Sequence, residues 1–175
     1  MSISSMSGLV SVLLAAGLVA CASAPPPAPV TVALTDATPT AMVVAIRAAG
    51  QGNDELAVQP LRDTRVEDLR EAARQHEHAR RYAQAAQSLD DAIAIVADDP
   101  MLLQERAEVA VLTQDYAMAA TLAERAFALG SQVGPLCRRH WKTIEQARLK
   151  SGDAAAAAAA GQRIDVCTVA APNRF

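Results

Sequence analysis

Aromatic residues are scarce in this 175-residue sequence: two tyrosines, two phenylalanines and one tryptophan. A core filled by large rings is thereby excluded, and the 51% hydrophobic content leans heavily on alanine. Such a core buries little area per side chain, so its helices have to approach closely. There is no excess of one charge either. The net charge of −3 and pI of about 5.6 argue against nucleic acid as the main partner. The apolar run Leu9 to Ala20 is too short to span a bilayer as a stable helix. No Gly-rich phosphate loop, G-x-S-x-G elbow or Ser/His/Asp constellation occurs. The carboxylates lie opposite arginines at helical spacing, as Glu67 and Glu71 do with Arg74, which is the pattern of a solvated helix face. These absences leave no enzyme and no cofactor to expect.

What is present begins with an address. Residues 1–20 contain no charged side chain and have an apolar stretch of secretory length. Leu18-Val19-Ala20-Cys21 resembles the lipobox of bacterial lipoproteins, in which the cysteine is lipidated and becomes the new N-terminus. Cleavage after Ala22-Ser23-Ala24 is the competing reading, although Pro25 would then follow the cut bond. The lipoprotein resemblance implies acyl chains on Cys21 and a stable membrane anchor. With Ala22, not Asp, after the cysteine, it also implies sorting to the outer membrane. The remainder would face the periplasm, an oxidising compartment.

Residues 21–65 read as a Pro/Ala-rich tether. Ala24-Pro25-Pro26-Pro27-Ala28-Pro29 favours polyproline II, and Val30 to Leu34 alternates like a short strand without a partner. Thr40 to Ala49 reads as a short helix stopped by Gly50, before a turn cluster at Gln51-Gly52-Asn53-Asp54. The segment is either a spacer carrying one weak helix or a stretch that folds back on the rest of the chain or on a partner.

From Val66 an internal repeat appears. Tyr82 and Tyr116 are 34 residues apart, as are Ala73 and Ala107, Ala85 and Ala119, and Ala92 and Ala126. A third copy, offset by four residues, contains Trp141, Gly152 and Ala157. This period and these positions resemble the tetratricopeptide repeat (TPR) family. The resemblance implies an all-α fold: three antiparallel helix-turn-helix repeats in a short solenoid, with units at about 66–99, 100–134 and 135–167 and a tail at 168–175. Each unit would be unable to bury its apolar face alone.

Cys137 falls near the start of the third unit's first helix and Cys167 just past the end of its second. Antiparallel packing brings the two to one level, so a disulfide is expected, closing a loop of about 31 residues and worth roughly 3–4 kcal/mol. Two buried free thiols are the other reading. His76-Glu77-His78 looks like a ligand cluster, but residues two apart on a helix point in different directions. Packing for His76 and solvent for His78 is expected, with no metal.

In the resembling family the first helix of each unit lines a concave groove. Carried over, this places Glu67, Arg70, Arg74 and His78 from unit one, Met101, Gln104, Glu108 and Leu112 from unit two, and Arg139, Lys142, Gln146 and Lys150 from unit three. A groove basic at one end with apolar residues beside it suits an extended peptide or a partner's helix with some acidic character. The expected function is therefore a non-enzymatic protein-interaction adaptor. A self-associating subunit of an envelope complex is the alternative.

Overall fold

The computed structural model describes residues 32–51 and 63–168. The leader, Cys21, the proline run, most of the turn cluster and the end of the tail lie outside the described residues. Among the described residues there are seven α-helices and no strand: α1 (Pro39–Ala49), α2 (Thr64–His78), α3 (Tyr82–Ile95), α4 (Pro100–Leu112), α5 (Tyr116–Leu129), α6 (Gly134–Lys150) and α7 (Ala154–Val166). Helices α2 and α3, α4 and α5, and α6 and α7 form three successive antiparallel hairpins, each packed on the next. The all-α, tetratricopeptide-like architecture expected from the 34-residue period is the one observed.

Local chemistry explains the boundaries. Side chains of Thr38, Asp63, Asp99, Asp115 and Asp153 each accept a hydrogen bond from an otherwise unpaired amide in the first turn of the helix they precede. The three hairpin turns share one geometry. Arg80 (φ 57°), Gln114 (φ 63°) and Gly152 (φ 74°) adopt the left-handed region. The following amides, of Arg81, Asp115 and Asp153, reach back to the carbonyls of His76, Ala110 and Arg148. This is a Schellman ending repeated three times, and only the third copy meets it with glycine. The four residues by which the third copy is offset are found inside α6. It starts 34 residues after α4 but is 17 residues long against 13, one extra turn.

Alanines hold the hairpins together. Ala73, Ala85, Ala107, Ala119, Ala123 and Ala126 are buried where helices cross. Trp141 meets Phe127 edge to face at 4.9 Å, with the Arg163 guanidinium 5.1 Å from the indole, closing the seam between units two and three. Cys137 and Cys167 are bridged, with Cα atoms 5.7 Å apart across the α6–α7 hairpin.

The tether expectation does not hold over residues 32–51. Helix α1 forms where Thr40 to Ala49 predicts one, but it is not free. Met42, Val43 and Ile46 are fully or almost fully buried against Ala110, Val111, Leu112, Ala119, Ala120 and Ala147. The segment before it is fixed as well. The Leu34 amide donates to the Leu149 carbonyl (2.8 Å), and Lys150 Nζ donates to the Thr35 carbonyl (3.2 Å), both on the extra turn of α6. A methyl at Gly152 would lie 2.6 Å from the Val32 carbonyl, so glycine there serves both the turn and this close approach. The physical reason is in α4. Its sequence is apolar on nearly every side, and nine of its residues are buried. A helix of that kind needs cover on the groove face as well as the hairpin face.

Candidate functional site

The concave face is formed by α2, α4 and α6, and α1 lies across the α4–α6 part of it. The contact is polar at its centre. Glu108 on α4 is completely buried, and its carboxylate is met from two sides. Arg47 of α1 donates through Nε (2.8 Å), and Arg139 of α6 donates through Nε (3.1 Å) and a second guanidinium nitrogen. Gln104 Nε2 donates to the same carboxylate (2.9 Å) and also contacts Thr143 Oγ1 (2.9 Å). Arg47 additionally clasps both oxygens of Glu77 on α2 at 2.8 and 2.9 Å. Burial works against the Arg47 charge, but the bonds to Glu77 and the charge of Glu108 outweigh it and raise the guanidinium pKa.

His140 is the other buried polar member. Its Nδ1 lies 2.7 Å from Gln104 Oε1. Because the Gln104 amide nitrogen donates to Glu108 and Thr143, its oxygen must accept, which assigns the proton to Nδ1. Nε2 then points into the protein without a partner. Burial, helped by the Arg139 charge, lowers the His140 pKa to about 3.

This geometry rearranges the groove read from the sequence. Gln104, Glu108, Leu112 and Gln146 are buried, not available: α1 lies against Glu108 and Leu112, and Gln104 is held by Thr143 and His140 of α6. Arg139 is spent on Glu108, with Met101 Sδ 3.8 Å from its guanidinium, and Lys150 is spent on Thr35. Lys142 pairs with Glu145, which rests against Gly161 of α7, so it sits on the flank towards α7. The basic surface expected at unit three is therefore largely consumed by the chain itself. Arg138, which sequence reasoning missed, caps α1 by donating to the Ala49 carbonyl (2.9 Å). A methyl at Gly50 would fall 2.5 Å from the Arg139 side chain, which is why α1 ends on glycine there.

Unit one differs. A cavity of about 190 Å³ remains between α1, α2, α3 and α4, with Arg139 of α6 at one wall and Ala73, Leu89 and Val109 at its apolar side. Four guanidiniums line it (Arg47, Arg70, Arg74, Arg139) against three carboxylates (Glu77, Glu105, Glu108), with His78 beside them. Arg70 pairs with Glu67 and with both oxygens of Glu105. Those Glu105 bonds raise its pKa against the opposing effect of burial. Arg74 is exposed and pairs with the exposed Glu71 (2.7 Å). His78 is exposed and His76 half-buried. Among the described residues no group of three or more His, Cys, Asp or Glu side chains is placed to hold a metal ion.

No protein-family model and no curated protein matches the sequence. A solved structure does: the globular C-terminal domain of P. aeruginosa LpoP, 32% identical, with a TM-score of 0.56. The match covers 60% of this chain and 99% of that domain. The chain belongs to the LpoP family. The relative's matched part is a C-terminal globular domain, and here too the repeat hairpins occupy the C-terminal part of the sequence. Across the family relationship, what is shared at this level is the helical domain.

Proposed function

We propose that this member of the LpoP family is a non-enzymatic protein-interaction adaptor. In this reading Cys21 carries the lipid anchor, the outer membrane is its site of attachment, and the helical domain faces the periplasm. The ligand is an envelope protein that presents an acidic side chain or an extended acidic segment.

One observation carries the proposal. Among the described residues an opening remains at the unit-one end of this face, with more guanidinium than carboxylate around an apolar floor. Arg74 and His78 at its rim make no deep structural contacts, so they are available to an incoming carboxylate. A guanidinium fork suits such a group better than an ammonium does. Rim charges also steer association and make it sensitive to salt.

The test is affinity capture from intact envelope with the anchor kept, comparing wild type with Arg74→Glu and His78→Glu combined. Surface changes of this kind shift stability by under about 0.5 kcal/mol, so the fold is retained. Partner recovery falls at least tenfold at low salt if the reading is right. Recovery of the same proteins at the same salt moves the binding surface elsewhere. A companion Cys21→Ser chain should lose membrane retention and show an unprocessed mass. Unchanged mass and retention would remove the anchor from the reading.

A further inference from the structure

The three hairpins follow one another in unbroken contact from α2 to α7, each leaning on its neighbours. Helix α1 stands outside that order. It rests on α4 and α6, far from it in sequence, and the stack is continuous without it. Its seat has the features of a groove that takes a helix. Apolar anchors sit at i, i+1 and i+4 (Met42, Val43, Ile46), and the residue after the last anchor, Arg47, reaches a carboxylate on the groove floor. The opposite side, with Thr40, Ala41, Val44 and Ala48, is exposed.

We infer that the groove across units two and three is a receptor for one short helix of this pattern, and that α1 is its resident occupant, able to leave as a unit and exchange with the same helix supplied in trans. This goes beyond the cavity reading and does not rest on it. Two features set the preference. Alanines 110, 119, 120 and 147 make a shallow floor that lets a helix backbone come close and its aliphatic anchors fill the space. Glu108 on the floor, which Arg139 also holds, and Glu77 at the rim favour a cation directly after the last anchor over a neutral or acidic residue. The groove therefore selects a cationic amphipathic helix, the reverse of the charge preferred by the open cavity beside it.

Two measurements on the full chain test this. In hydrogen exchange, the amides of Val43–Ala49 exchange through an opening that leaves those of α4 and α6 protected. In fluorescence anisotropy, a labelled peptide of residues 37–51 binds an Ile46→Asp chain saturably. It binds wild type at least tenfold more weakly, because the resident helix competes. The same peptide with Arg47→Glu binds the Ile46→Asp chain at least tenfold more weakly than the unchanged peptide. The inference is overturned if α1 amides exchange only together with those of α4 and α6. It is equally overturned if an Ile46→Asp chain that keeps its helical circular dichroism ignores the peptide. Loss of all helicity in that chain also counts against it, since α1 would then be a core helix.

Discussion

Helix α4 carries two glutamates one turn apart, and they face the two halves of the concave surface. Glu105 looks towards unit one, where its side chain is 22% exposed and Arg70 holds it at the wall of an open cavity. Glu108, at the inner wall of the same cavity, is wholly buried under α1 between Arg47 and Arg139 of unit three. The residue type and the partner type are the same. What differs is whether water reaches the carboxylate, and that decides whether the charge is a surface available for binding or a fastening inside the fold. A groove position in a repeat protein thus has no fixed role; the cover above it assigns one.

The widest gap between the two halves should appear when each carboxylate is neutralised. Glu108→Gln removes a buried charge from between Arg139 and the part-exposed Arg47, which keeps Glu77, and should cost about 3 kcal/mol. Glu105→Gln, part-exposed and screened, should cost about 1 kcal/mol or less. Urea unfolding of the two variants measures both, and equal costs would erase the distinction between the covered and open halves.

The disulfide belongs only to the covered half. Replacing both Cys137 and Cys167 by alanine should lower stability by about 3 kcal/mol, on the chain-entropy account of a loop of this length. A thermal melt follows it, and an unchanged midpoint would show that the α6–α7 hairpin holds without the bridge.

His140 makes the covered half acid-sensitive. Its pKa in the fold is about 3, below the 6.5 of the free side chain, so the unfolded chain takes up a proton that the folded one refuses. The stability held above pH 6.5 is therefore lost as pH falls from there towards about 3, at up to about 1.4 kcal/mol per unit. His140→Asn should flatten that part of the pH profile. An unchanged slope would mean that other groups carry it.

Much of this architecture was readable beforehand. The tyrosine and alanine spacings gave the hairpins, the cysteine positions gave the bridge, and Thr40 to Ala49 gave a helix. The cover was not readable. Gln104, Glu108 and Gln146 look like solvent positions because polarity is the usual mark of a groove wall. Glu108 is met by Arg47, 61 residues away, and Gln104 by His140 and Thr143, 36 and 39 residues away. Periodicity reports which face of a helix is apolar but not what will lie on it. The signal that pointed the right way was α4 itself, whose Val111-Leu112 end is too apolar for an open groove.

The smallest effect concerns the turns that the two halves share. Arg80 and Gln114 sit at left-handed φ values that the third unit gives to Gly152. Arg80→Gly or Gln114→Gly should each raise stability by about 1 kcal/mol by relieving that conformation. The gain should be alike in units one and two, because the turns lie away from the groove. Thermal melts of the two variants measure it, and a gain in one alone would mean that the units are not equivalent even there.

The placement of α1 bears on the order in which the molecule comes together. Bonds of α1 and of the segment just before it join residues 61, 89 and 115 positions apart, whereas the hairpins are closed by near neighbours along the chain. Contacts of such separation carry the greatest loop-closure entropy and form slowly. Their acceptors and donors, Glu108, Arg138 and Lys150, also have to be assembled by α4 and α6 first. The helix that leaves the ribosome before any of its partners is therefore expected to dock last. Until then Met42, Val43 and Ile46 stay exposed to water, so the largest apolar anchors of α1 are shielded only at the final step.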